Sequence, residues 1–160
     1  MRQFARYCMF LLLAGGLGAG AAQPARAQSA ADVASVTAAN AAFYVALSAR
    51  DAAAMGKVYA HTDYVVNVGP RSTAILVGWP AVEGWAKGLA SLFDTLDAKA
   101  TSARVRVNGN TAWVVATEHA SGKLKSGGAA IEWDLISTNV YEKIGGRWLM
   151  VSHHAMAPMK

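Results

Sequence analysis

Four residues in the second half of the chain have side chains suited to moving a proton: Glu118, Asp134 and the adjacent His153 and His154. A carboxylate buried beside aromatic rings has its charged form penalised by desolvation, which raises its pKa towards neutrality and suits it to shuttle a proton. The same carboxylates have an ordinary alternative, as solvated groups near strand ends or as partners of Arg147 or Lys143. An imidazole titrates near neutrality and serves as either a hydrogen-bonding group or an acid/base. Because His153 and His154 are consecutive, they point to opposite faces of a strand, and only one lines a given cavity. His61 and His119 add no metal-ligand spacing, so neither a metal nor another cofactor is expected. Phosphate loops, nucleophile elbows and Ser-His-Asp signatures are likewise missing from the sequence.

Three strand-like segments, 111–120, 129–143 and 147–155, must position these groups. Ile144-Gly145-Gly146 forms a tight turn between the last two, a strong hairpin signal. On the middle segment, alternation groups Glu132, Asp134, Ile136 and Thr138 against Trp133, Leu135, Ser137 and Asn139. On the first, Ala112, Val114, Ala116 and Glu118 alternate with Trp113, Val115, Thr117 and His119.

The front half reads as mostly helical. Ser29 and Asp32 resemble a capping box, and Val33, Val36, Asn40, Phe43 and Leu47 then recur at helical spacing. Asn40 interrupts that stripe, either as a satisfied interior amide or as a group facing a ligand cavity. Asp51 has the type and place of an N-cap for a short second helix over 52–59. A short strand over 64–68 pairs with 75–77, and Gly78-Trp79-Pro80 opens a third helix whose stripe runs from Val82 through Trp85 and Leu89 to Leu96. Helices followed by a meander of long strands predict an α+β domain.

Residues 1–27 read as a signal peptide: Arg2 and Arg6 precede a short apolar run, and Ala25-Arg26-Ala27 offers a cleavage site. Export to the periplasm or outside the cell is therefore expected, with residues 28–160 forming one domain. The only cysteine, Cys8, lies in the leader, so no disulfide or thiol nucleophile is expected in the exported chain. The formal charge of +5 falls by three when Arg2, Arg6 and Arg26 are removed. What remains is interspersed, without the basic stripe that a nucleic-acid partner requires. No membrane partner is expected after cleavage.

The element order resembles the nuclear transport factor 2-like superfamily, particularly its SnoaL-like branch. The segments that carry the resemblance are AFYVALSARDAAAMGKVYAHTDYVVNVGP (42–70), VGWPAVEGW (77–85), VNGNTAWVVATE (107–118) and TNVYEKIGGRWLMVSHHA (138–155). It implies a cone-like, mainly antiparallel sheet curved around a long helix, a pocket at the open end, and a homodimer. Steroid isomerisation in that superfamily uses an aspartate base with a tyrosine and a protonated aspartic acid. By the resemblance the tyrosine position falls on Phe43 (Tyr44 being adjacent), the base position on Asn67 or Gly69, and the protonated aspartic acid on Thr138, so that chemistry is not expected. Counting from Trp148, His154 matches a terminal histidine of the branch. The resemblance thus implies a pocket formed by Phe43, Asn67, Thr138 and His154. Its expected ligand is a small apolar or carbonyl-bearing molecule. The rival expectation is an isomerase, cyclase or dehydratase using Glu118 or Asp134 with His154, and a third is an assembly module with a vestigial pocket.

Overall fold

The computed structural model describes residues 29–158, so the expected leader lies outside the described residues. Helix α1, Ala30–Ala49, begins where Ser29 Oγ accepts the Asp32 N–H at 3.3 Å. It ends at Arg50, whose left-handed backbone (φ 55°) lets its N–H close on the last carbonyls. Asp32 does not complete a capping box. Its carboxylate instead accepts from Lys143 Nζ at 2.7 Å and Trp148 Nε1 at 3.2 Å, tying the helix start to the sheet. Those two donors, Lys143 first, hold its pKa below the ordinary carboxylate range. Helix α2, Ala52–Val58, is capped by Asp51, which accepts the N–H groups of Ala53 and Ala54. That carboxylate is committed to the backbone. Helix α3, Trp79–Leu92, starts after Gly78, whose φ of 82° few other residues adopt.

Among the described residues six strands form one sheet: β1 (Val66–Val68), β2 (Leu76–Val77), β3 (Phe93–Asn108), β4 (Thr111–Leu124), β5 (Ala130–Ile144) and β6 (Arg147–Met156). Their order is β2-β1-β6-β5-β4-β3, antiparallel throughout except for the parallel β1–β6 pair. There are thus four long strands rather than three. The third helix stops at Leu92, and Leu96 belongs to β3, not to the helical stripe. Strand β3 was illegible because it is an edge strand. Beyond Phe93, Leu96 and Ala98 it buries almost nothing, and irregularities near Asp94 and Thr101 break its alternation.

Those irregularities also bend the sheet. Gly122 on β4 lies so close to β3 that an added Cβ would stand 2.1 Å from the Thr95 carbonyl oxygen. Helix α1 packs along β3, and the Ser48 hydroxyl accepts the Ala98 N–H at 2.9 Å. Val36, Phe43 and Met55 from the helices meet Val114, Tyr141 and Met150 from the concave side of the sheet in the core. The result is an α+β cone.

Candidate functional site

Alternation assigns every long-strand residue to the concave or the convex side, and burial tells which is which. On β4 the concave set is Ala112, Val114, Ala116, Glu118 and Ala120. On β5 it is Ile131, Leu135, Ser137, Asn139 and Tyr141, with half-buried Trp133. Thr138 and Asp134 therefore face outwards, and the expectation that they line the pocket is corrected. The hydrophobic pattern of β5 already favoured the odd positions. The family-based count was one residue out.

Strand β6 hides a second correction. Trp148 and Met150 point inwards, and unbroken alternation would continue to Ser152 and His154. The ladder instead pairs Tyr141 with Met150 and Val140 with Ser152, leaving Val151 as an extra residue. This bulge reverses the parity, so His153 is 4% exposed and His154 stands on the convex side. His154 is not a pocket residue, and the inward histidine is its neighbour.

A cavity of about 580 Å³ opens between the 69–74 loop, α3 and the concave side of the sheet. Leu47, Trp85, Leu89, Leu96, Trp133 and Leu135 supply much of its apolar wall, and Phe93 meets Trp133 edge-on at 6.3 Å. Two ionisable side chains of the long strands border it, Glu118 and His153. They do not bond to each other. Each is held by its own partners.

Tyr44, from α1, donates its hydroxyl to Glu118 Oε1 at 2.5 Å in a buried contact. Burial, then the neighbouring carboxylate's charge, raises the Tyr44 pKa well above that of an ordinary phenol, so the proton stays on tyrosine. Glu118 therefore has one oxygen anchored by Tyr44, and Oε2 has no protein partner among the described residues. Of the carboxylates among the described residues, Glu118 alone is buried.

His153 ends a chain of amides. Asn40 Oδ1 accepts from Asn139 Nδ2 at 2.8 Å and from the Tyr141 hydroxyl at 2.9 Å. That arrangement turns Asn139 Oδ1 towards His153 Nδ1, 2.7 Å away. An amide oxygen has no proton to give, so Nδ1 carries the hydrogen and Nε2 presents a lone pair. Burial, and secondarily the His154 charge, pushes the His153 pKa down to about 3. The ring is therefore neutral near pH 7 and accepts hydrogen bonds, but it is a poor proton base there. Asn40 is the satisfied interior amide of its two readings, and it acts on the site through Asn139.

Phe43 and Asn67 sit behind the cavity wall. The Phe43 ring lies 4.8 Å from that of His153, and Asn67 pairs with His153 across the β1–β6 ladder. Asn67 is 1% exposed, and neither amide atom has a partner. The Tyr59 and Ser137 hydroxyls on the same side are equally unpartnered. Such groups cost about 1–3 kcal/mol each, and stable folds carry few of them. On the convex side, Asp134 instead meets His119 at 3.0 Å, largely in solvent. Sequence reasoning did not assign Tyr44 or Asn139 to the site, and it gave His154 the inward place that His153 holds. Tyr44 was passed over for Phe43, while Asn139 and His153 were hidden by the two parity errors.

The chain matches the SnoaL-like domain family over residues 36–160. No curated protein sequence matches it. Among solved structures, a nuclear transport factor 2-like superfamily protein from Salmonella enterica superposes with a TM-score of 0.76 at 17% identity, covering 82% of this chain and 95% of that one. A protein proposed to be a dehydratase of the same superfamily, from Streptomyces avermitilis, gives 0.73 at 24% identity, covering 81% and 99%. A type 2 hexachlorocyclohexane dehydrochlorinase, LinA, gives 0.70 at 15% identity, covering 81% and 86%. At these identities the superpositions establish the fold alone. The match over residues 36–160 makes this chain a member of the SnoaL-like domain family, and its fold is the one seen in nuclear transport factor 2-like proteins.

Proposed function

We propose that the cavity takes up a small, largely apolar molecule and that Glu118 removes a proton from it, in a lyase or isomerase reaction. The observation that carries this reading is a buried carboxylate, anchored on one oxygen by Tyr44, at the inner end of an apolar cavity. Burying a carboxylate is costly, and a fold that merely enclosed an apolar ligand would not need one there. Tyr44 fixes its orientation without taking over its charge. His153 is a weak base, because burial holds its pKa down to about 3 and leaves its ring nitrogen little affinity for a proton. It orients the ligand by accepting a hydrogen bond.

The dehydratase and dehydrochlorinase relatives support an elimination, in which a base takes a proton from carbon while a group leaves the neighbouring carbon. The cavity walls offer no obvious acid to protonate a poor leaving group, which favours halide loss or proton relocation over loss of hydroxide. The experiment is a panel of apolar substrates in deuterated buffer. It contains γ-hexachlorocyclohexane, a β-chloroketone and a β,γ-unsaturated ketone, followed by chloride release and by deuterium incorporation. Turnover or exchange that disappears in Glu118→Gln and survives in His154→Ala supports the reading. Activity that survives Glu118→Gln contradicts it.

The same proposal includes export, supported by the arginines, apolar run and Ala25-Arg26-Ala27 of the N-terminal sequence. It also includes a homodimer formed through the convex face, where Trp113, Val115, Ile136 and Met156 are each at least 40% exposed.

A further inference from the structure

The cavity is polarised from end to end, and this names the ligand class more closely. Its inner end presents hydrogen-bond acceptors: Glu118 Oε2 and His153 Nε2 lack protein partners, and neither residue has a free proton there to offer. Its mouth is the reverse. Arg71, on the 69–74 loop, borders the cavity, and its guanidinium has no partner among the described residues. The loop is held in shape by Ser72, whose hydroxyl accepts the Gly69 N–H at 2.8 Å. Across the rim, the Lys125 N–H bonds the carbonyl of Leu92, which also borders the cavity, at 3.0 Å.

Resting on the proposed use of this cavity, we infer that its ligand is an apolar ring-sized anion that enters with a hydroxyl or N–H donor leading and its carboxylate trailing. The buried charge of Glu118 repels an anionic group from the inner end, and there water cannot screen the repulsion. The only favourable place for the anion is beside Arg71, whose planar fork matches a carboxylate. Of the side chains that border the cavity at this end, Glu118 and His153 both present acceptors, so a leading donor is favoured over a leading carbonyl. A volume of about 580 Å³ accommodates one such molecule.

Three probes of one shape test the inference: 6-hydroxy-2-naphthoate, 6-methoxy-2-naphthoate and 6-hydroxy-2-naphthamide, titrated against the purified protein by calorimetry. The hydroxynaphthoate should bind about tenfold more tightly than either relative, since each lacks one charge-assisted contact. Arg71→Gln should erase the preference for the carboxylate and leave the amide's affinity within about twofold, because the exposed arginine contributes little to folding. Equal binding of carboxylate and amide, or an Arg71→Gln variant that keeps the preference, would overturn the inference. Failure of all three probes while naphthalene still binds would overturn the ligand class and leave the cavity reading intact. Failure of naphthalene as well would overturn both.

Discussion

The concave and convex sides of the sheet hold similar side chains and put them to different uses. On the convex side His119 and Asp134 approach to 3.0 Å, but the carboxylate is 84% exposed, and water and salt screen such a pair to little consequence. On the concave side Glu118 meets Tyr44, and His153 meets Asn139, in places that water scarcely reaches. There a proton's position is fixed by geometry and is expensive to change. The comparison is sharpest between His153 and His154, consecutive residues of one type with opposite surroundings. Chemistry in this chain follows the side of the sheet, and one bulge decides which histidine gets it.

The largest effect that tests this contrast is kinetic. Glu118→Gln keeps the shape and an oxygen for Tyr44 to donate to, so folding should be nearly unchanged, while proton-transfer turnover should fall about a hundred- to ten-thousand-fold. Asp134→Asn on the convex side should leave turnover within about twofold, measured on the same substrate. Comparable losses in both variants would erase the distinction.

Stability against pH is the next test. In the unfolded chain a histidine titrates near 6.5, whereas folded His153 stays neutral down to about 3. Below 6.5 the unfolded state therefore binds the extra proton, so stability falls as the pH drops from about 6.5 towards 3. The His153 contribution to that loss is on the order of a few kcal/mol. Urea denaturation at pH 7 and pH 4.5 should show a smaller pH-dependent loss for His153→Gln than for the unsubstituted protein. An identical loss would mean that His153 is not buried as a neutral ring.

Gly122→Ala probes the curl that makes one side concave. Its new Cβ meets the Thr95 backbone, which cannot swing aside as a side chain would, so a loss of about 2–4 kcal/mol is expected in urea denaturation. His153→Ala leaves Asn139 Oδ1 buried without a donor and should cost about 1–3 kcal/mol, whereas His154→Ala should stay within about 0.5 kcal/mol. The smallest effect belongs to neither side: Arg50→Gly relieves the left-handed backbone at the end of α1 and should add about 0.5 kcal/mol to stability.

The helices, caps and closing hairpin were legible because local rules govern them. Asp51 caps its helix as its type and position imply, and Gly145-Gly146 turns the hairpin with positive φ at both residues. Strand β3 was not legible as one strand, since its buried positions are confined to Phe93, Leu96 and Ala98 and irregularities near Asp94 and Thr101 interrupt the alternation along it. Within the site, Glu118 could be picked out by alternation alone. Asn139 could have been, because Ile131, Trp133 and Leu135 mark the buried parity of β5 against Glu132 and Asp134. His153 could not, because the Val151 bulge is fixed by pairing with β5 and leaves no mark in the composition of β6. The contact between Tyr44 and Glu118 joins residues 74 positions apart, which only the folded cone brings together.

The most direct test of the two-sided account is nitrogen NMR of histidine side chains in uniformly labelled protein at pH 7 and pH 5, with the His153 signal assigned through His153→Gln. The account predicts a neutral ring carrying its proton on Nδ1 at both pH values. A His153 imidazolium at pH 5, or a neutral ring protonated on Nε2, would contradict the inward placement, the Asn139 contact and the site built on them.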